Sequence, residues 1–578
     1  MPRLPPFSPR FQSPKRSEAG WLRQWRVIFF LLCCACGFFV AGCHPEPPAD
    51  ITIINGVEPE TLDPGLVTGQ AEMRIVQGLF DGLTRLDPQT ARPIPGLAER
   101  WELSPDQRLY TFHLRTNLVW STGEPLTADN VVYSWLRALN PATASDYAGQ
   151  LFYVKNAEAF NAGKIKDAAQ VGVHAPDQFT VRVELEHPTA FFLDLCAFTT
   201  LCVVPRQTIE KSGDAWLKAQ PLPSSGPYEL VYWRLNDKIR LRKNPRYWDA
   251  ANTRSEIIDF LPVGSPNAAL NLYDRGQADI VWDKELVPTE LLDVLLQRPD
   301  FHTFNYLGTY FVRFNVTRKP FDDPRVRQAL ALAVDKDRIV QRITRSGEPP
   351  ASHFVPDGAA NYRSPEGLGH DPARARRLLA EAGYPGGKGF PHAEYMFNAP
   401  TGGAAKIHEK IAVELQQMWR DELGIDIELR QLEWKVYLSA QDQLDYNLSR
   451  SSWIGDYNDA NTFLEMFTSD NGNNRTGWKN ARYDGLIRSA NMQTDRAARE
   501  KLFQEAETLL VRDELPVVPL FFYVGVNYFD TNKIQGIWPN VIDQHPLQAI
   551  YKIRRGSAVE SRGLDKTETA VSKDRQSF

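Results

Sequence analysis

Phe321-Asp322-Asp323-Pro324-Arg325-Val326-Arg327-Gln328-Ala329-Leu330 is the stretch that decides the architecture. Asp323 offers a side-chain oxygen to the free N–H groups of a helix start, and Pro324 brings the φ of a first helical turn. Val326, Ala329, Leu330 and Ala333 then recur at helical spacing, so one face of this helix is apolar. The device repeats at Asp371-Pro372, followed by Leu378, Leu379 and Ala382, with Gly383 as the stop. A third amphipathic helix is predicted over 497–511 and runs into an apolar strand over 517–523. Helices capped in this way and alternating with strands predict a layered α/β domain built on a mixed sheet.

Toward the N-terminus the pattern changes. Tyr110, Phe112 and Leu114 alternate with polar residues, as do the segments 180–185 and 238–242, which predicts short half-buried strands. One helix is expected over 128–139, with Val131, Val132, Trp135 and Leu139 on its inner face. No internal repeat interrupts the chain, and beyond residue 553 it turns polar without periodicity, which predicts a disordered tail.

The bulk numbers bound the partners. With 578 residues, 43% of them hydrophobic, the chain is long enough for two to four domains. A net charge of -5 and the absence of a dense basic run inside the folded region argue against nucleic acid. The 14 Trp and 20 Tyr supply rigid amphipathic surfaces for a core or a wet ligand cavity.

The first 50 residues read as an export and anchoring device. Arg3, Arg10, Lys15, Arg16, Arg23 and Arg26 precede an apolar run over 27–40, which leads into Val40-Ala41-Gly42-Cys43. The run is shorter than the ~20 residues a bilayer span needs, so a cleaved lipoprotein signal over 1–42 is preferred to a retained anchor helix. Acyl chains on Cys43 would then hold the protein on a membrane surface, with 43–50 as tether. Cys196 and Cys202 remain beyond this segment, as a disulfide or as two buried thiols, and their spacing fits no zinc signature.

Catalytic constellations fail in turn. His408-Glu409 lacks the second His of a zincin helix. Gly386-Gly387-Lys388-Gly389 has Gly where a phosphate loop needs Ser or Thr, and reads as a surface turn. No Gly-x-Ser-x-Gly elbow occurs, and neither cysteine has a His neighbour in sequence. The chain is therefore not expected to be an enzyme, and no metal or cofactor is expected.

Six segments in order resemble the peptide-binding branch of the bacterial extracellular solute-binding protein family. They are Glu58-Pro-Glu-Thr-Leu-Asp-Pro64, Tyr110-Thr-Phe-His-Leu-Arg115 with Trp120-Ser-Thr-Gly-Glu-Pro-Leu-Thr127, Ser225-Gly226-Pro227-Tyr228, Asn244-Pro245-Arg246-Tyr247-Trp248, the 321–330 helix start, and Trp453-Ile-Gly-Asp-Tyr-Asn-Asp459. The resemblance implies a three-lobed periplasmic-binding-protein-like α/β fold with mixed sheets and a hinged interlobe cleft. Lobe I would comprise 51–80, 206–307 and 525–556, lobe II 81–205, and lobe III 308–524, with 557–578 left as the tail. It further implies a receptor that closes on a short peptide and delivers it to the permease and ATPase of an ABC importer. Such a receptor is expected to be a periplasmic or extracytoplasmic monomer. A nickel chelate, haem or oligosaccharide receptor on the same fold, and a sensor lipoprotein, stay open as alternatives.

The resemblance also implies site residues. Asp456 would meet the ligand's α-ammonium; its other readings are a solvated loop Asp or an N-cap for a helix over 461–467. Trp434, Trp453, Tyr133 and Tyr306 fall on pocket-lining positions, with core packing as the competing role for each. Arg450 and His408 match positions at the ligand's carboxylate end. The pattern departs from the family at Gln441, where another Arg is usual, at Thr344 beside Arg345, where a Lys is usual, and at Arg313, which replaces a Glu. Ala460 replaces a Pro, and Gly308 and Ile454 replace a cysteine pair. The charge at the carboxylate end is therefore altered.

Overall fold

The structure, a computed structural model, describes residues 46–360, 362–399 and 407–553. The expected signal segment 1–42, Cys43 and the tail 557–578 lie outside the described residues. A first unit ends at Pro48, with 46–48 as exposed coil, and a second begins at Ala49 and carries every element below. Among the described residues no helix is long and apolar enough to cross a membrane.

The strands in chain order begin with β1 (Ile51–Ile54), the short pair β2 (Thr84–Leu86) and β3 (Pro93–Pro95), and β4 (Ala98–Leu103), β5 (Leu109–Leu114), β6 (Val173–Asp177) and β7 (Thr180–Glu184). Next come β8 (Tyr228–Arg234), β9 (Lys238–Lys243), β10 (Ile257–Leu261), β11 (Ile280–Trp282) and the long β12 (Phe301–Phe314). The last are β13 (Glu394–Asn398), β14 (Glu428–Leu432), β15 (Leu448–Ile454) and the long β16 (Val517–Tyr528). Strands β4-β5-β7-β6 make a separate antiparallel sheet, and ten others form one mixed sheet in the order β14-β13-β15-β12-β16-β11-β1-β10-β9-β8.

Burial explains the local choices. β1 lies between two parallel neighbours, so Ile51, Ile53 and Ile54 are all buried, as strands covered on both faces require. β5 has one face inward, and its Tyr110, Phe112 and Leu114 meet that face. The capped helices form where expected: Asp323 accepts from the Arg325 N–H at 2.8 Å ahead of Pro324–Leu332, and Asp371 from the Arg374 N–H at 2.9 Å ahead of Pro372–Glu381. Ala128–Leu139 opens with a capping box between Thr127 and Asn130. The helix expected over 497–511 runs from Arg496 to Thr508 and ends in a π turn, Leu509–Asp513. The turn reading of 386–389 holds: Gly387 has φ 76°, and a Cβ there would stand 2.1 Å from the Gly424 carbonyl oxygen.

β16 runs five residues past the expected stop at 523. Gly525 and Asn527 look like breakers, yet a Cβ on Gly525 would stand 2.7 Å from the Asp543 carboxyl carbon, so glycine here admits a neighbour rather than ending a strand. The two long strands bind the ten-stranded sheet together. Phe301–Asn305 pairs with the far end of β16, from Tyr528 to Val524, and Thr309 resumes opposite Phe522. Between these points β12 advances four residues and β16 two, so the ladder breaks around Tyr306, Leu307 and Gly308. On one side of the break lie β11, β1, β10, β9 and β8; on the other β15 pairs with Gly308–Phe314. The four-stranded sheet completes a three-lobed architecture.

Several of the quoted segments prove to be joints of this scaffold. Asp63, 2% exposed, accepts from both arms of Arg137 at 2.9 and 2.5 Å and from the Trp216 indole at 3.0 Å. Tyr247 and Trp248 both donate to the buried Asp81, at 2.8 and 3.1 Å. Cys196 and Cys202 are buried and free, which resolves the open choice in favour of two thiols.

Candidate functional site

β15 is paired along its length on one side only. β12 covers Leu448–Ile454, whereas β13 reaches only Leu448 and Ser449 on the other side. Gly455 donates its N–H to the Leu307 carbonyl at 2.8 Å, so by the two-residue alternation of a strand the backbone groups of Ser452 and Ile454 point away from β12. Among the described residues this edge is left without a strand partner.

Asp456 stands two residues beyond this edge. Its N–H donates to Thr462 Oγ1 at 3.2 Å, and its Oδ2 accepts from Gln150 Nε2 at 3.0 Å. It does not cap the helix that follows: the Asn461 N–H donates instead to Asp459 Oδ1 at 2.9 Å. Burial pushes the Asp456 carboxyl up to about 7, opposed only by the Gln150 hydrogen bond, and no cation of the described residues neutralises it. The side chain borders two spaces. One, of about 240 Å³, is lined by Gln70, Arg74, Tyr306 and Asp543; the other, of about 600 Å³, by Tyr153, Trp453, Tyr457 and Glu465. In the first, burial works to raise the Asp543 carboxyl, but His545 and Arg74 prevail and hold it below the usual range.

Six residues back along the strand, Arg450 is buried with the opposite problem. Its guanidinium donates to Asn398 at 3.3 Å and to the Tyr523 hydroxyl at 3.4 Å and lies 5.0 Å from the Tyr310 ring centre, while Nε has no partner. No carboxylate of the described residues forms an ion pair with it. It lines a cavity of about 120 Å³ with Tyr310, Thr344, His408, Tyr523 and the acids Glu285 and Glu348. His408, half-buried, lies 3.4 Å from the Tyr310 hydroxyl through Nδ1.

The structure thus brings Asp456, Trp453 and Tyr306 to one end of the β15 edge, and Arg450 and His408 to the other. The Trp453 indole N–H is buried without a partner, and Tyr306 accepts from Gln70. Trp434 and Tyr133 are not brought into these cavities. Trp434 is 40% exposed and stacks on Tyr437, with centroids 5.6 Å apart, and Tyr133, on the helix Ala128–Leu139, packs against the apolar cluster shared by the two sheets under the Arg206 guanidinium. Of the departures, Gln441 is absorbed into hydrogen bonds with Tyr437, Ser449 and the Arg450 carbonyl, and Arg345 pairs with Asp293. Thr344 lines the cavity beside Arg450. Gln150, Gln70, Tyr310 and Tyr523 escaped sequence reasoning, because none lies in a motif.

Among the described residues one group has metal-ligand composition: His392, Glu394 and Glu428, with ligand atoms within 4.8 Å of one another. Arg430 stands 3.5 Å from Glu394 and supplies positive charge there already. Among the described residues the arrangement is a strand edge with a buried carboxyl near one end and a buried guanidinium near the other.

The description "Bacterial extracellular solute-binding proteins, family 5 Middle" matches residues 92–475, and the chain belongs to this family. Among curated relatives, the oligopeptide-binding protein OppA of Bacillus subtilis is 32% identical over 92% of this chain and 100% of its own length. The probable deoxycholate-binding periplasmic protein YgiS of Escherichia coli is 36% identical over 81% of this chain and 87% of its own. Among solved structures, a periplasmic oligopeptide-binding protein of Borrelia burgdorferi superposes with a TM-score of 0.75 at 32% identity, covering 88% of this chain and 100% of that one.

Proposed function

We propose that this chain is a lipid-anchored receptor that captures short peptides in a closing cleft and hands them to the permease of an ABC importer. The observation that carries the reading is the half-paired β15 ending at Asp456. A peptide laid along Ser452 and Ile454 adds a strand by main-chain hydrogen bonds, which is indifferent to its sequence. Its α-ammonium then meets Asp456, a carboxylate in need of a cation, and Arg450 awaits a carboxylate at the other end. The space of about 600 Å³ beside Trp453 is large enough to accommodate varied side chains. Peptide-binding relatives that span nearly the whole chain support the same assignment.

Closure follows from where the contacts lie. The division into lobes at 307/308 and 524/525 that we propose falls at the broken β12–β16 ladder, where few bonds resist bending. A ligand touching both sides stabilises only the closed form and so shifts the population toward it. Anchoring through Cys43 is tested separately: Cys43→Ser should move the protein from the membrane to the soluble fraction.

Calorimetry with mixed tri- to pentapeptides tests the assignment. Heat with free-amine peptides, lost in Asp456→Ala, is expected; the absence of heat with every such peptide, together with unchanged behaviour of the variant, would refute it. The relative named for deoxycholate keeps a second reading, a receptor for a non-peptide solute, in play. Mass spectrometry of whatever ligand the purified protein retains separates the two.

A further inference from the structure

Asp456 is held from outside its own part of the chain. The ring of Phe191 lies parallel to that of Tyr457, with centroids 4.2 Å apart and 7° between planes. Tyr153 sets its edge against Phe191 at 5.1 Å and 88°, and its hydroxyl donates to Glu465 at 3.0 Å, 3.3 Å from the Tyr457 hydroxyl. Gln150 reaches Asp456 itself. Phe191 and Tyr457 are 3% and 5% exposed and share one apolar cluster, whereas Phe463 and Met466, just beyond Tyr457, belong to another. The residue beside Asp456 thus packs not with the residues that follow it but into a cluster shared by the four-stranded sheet and the β8–β11 side of the ten-stranded one.

We propose that Gln150, Tyr153 and Phe191 are positioning residues for Asp456: a brace from the four-stranded-sheet body that fixes the 456–465 segment and aims its carboxylate into the cleft. The proposal rests on the peptide reading for its purpose, but the brace stands on geometry of its own. Gln150 takes one lone pair of Oδ2 and brings no charge, so it fixes the side chain's direction and leaves the ammonium site available. The ring stack and the Tyr153–Glu465 bond join two parts of the chain that a hinge at the β12–β16 break moves relative to each other. On this proposal they are made on closure, so they supply part of its free energy and lower what the ligand must contribute. The body at 81–205 is then a component of the binding equilibrium as well as a wall of the chamber beside Trp453.

The test uses the full chain, the tightest peptide of the calorimetric panel and its N-acetyl form, and small-angle scattering of the ligand-free protein. Tyr153→Phe removes one hydroxyl and keeps the ring; Phe191→Ala removes the stack; Gln150→Leu removes the bond to Asp456. We expect Tyr153→Phe to weaken the free-amine peptide about tenfold and Phe191→Ala to weaken it further. Both should enlarge the ligand-free radius of gyration. In Gln150→Leu the preference for the free amine over the N-acetyl form should shrink, a ratio that a merely structural role would leave alone. Wild-type affinity, ratio and radius in Tyr153→Phe and Phe191→Ala would overturn the brace. Should the wild type bind no peptide, the peptide reading fails, and the radius alone decides the brace.

Discussion

Gly308 lies directly opposite Ile454 across the β12–β15 ladder, and a Cβ on it would stand 2.7 Å from Ile454 Cδ1 and 2.9 Å from Tyr523. The two positions that replace a cysteine pair are thus cross-strand partners, one empty and one full. Gly308→Val should overpack this joint and destabilise the protein by about 1–3 kcal/mol, read as a lowered denaturant midpoint with unchanged slope. Gly308→Val with Ile454→Ala should recover most of the loss.

Peptide affinity should depend on pH through Asp456. Burial pushes its carboxyl up to about 7, so below that pH a proton is expected in the site an ammonium needs. Affinity is expected to fall by up to about tenfold per unit between pH 7 and pH 5. In Asp456→Asn the affinity should already be reduced, by roughly a hundredfold or more, and flat with pH. A wild-type profile as flat as the variant's would exclude this carboxylate as the anchor.

Stability of the ligand-free protein should run the other way. Burial raises Asp194, Asp456 and Glu507 to about 7, with Asp459 adding to the shift of Asp194 and the hydrogen bonds to Glu507 opposing its shift. Each favours the protonated fold, so its contribution is fully present below the unfolded value near 4 and is lost as pH rises through 7. Melting temperature should therefore rise on going from pH 8 to pH 5, and Asp194→Asn should reduce that slope.

Arg450→Met should leave ligand-free stability nearly unchanged, because it removes a buried charge that has no acidic partner. It should cost about tenfold or more in affinity for a peptide with a free C-terminus and little for the same peptide amidated. Equal losses for both forms would place the C-terminus elsewhere.

Asp63→Ala should cost about 3–5 kcal/mol, because it strands the Arg137 guanidinium beside the Trp216 indole. Thermal unfolding measures it, and peptide affinity at low temperature should be retained.

What the amino-acid order revealed was what is decided locally. Asp323-Pro324 and Asp371-Pro372 announce their helices because cap and first turn lie within four residues. Asp63 and Tyr247-Trp248 stood out as motifs, yet they join scaffold parts, which is why they mark the fold and not the ligand. The end of β16 was hidden because the reason for Gly525 is Asp543, eighteen residues on. Gln150 could not be read at all: it meets Asp456 across 306 residues, from a single 3-10 turn over Ala148–Leu151 with no signature. Trp434 and Trp453 looked alike in sequence, and only the fold sends one to the surface and the other to the chamber.

The two sulfhydryls carry a practical consequence. Cys196 and Cys202 are sealed from solvent, and burial pushes both well above the ordinary thiol range, so neither offers the thiolate that maleimides and peroxides attack. A reporter dye attached to a newly introduced surface cysteine at a rim of the cleft would then compete with no reactive sulfur in the described body. The folded receptor is, in this sense, already a blank substrate for building an optical peptide sensor.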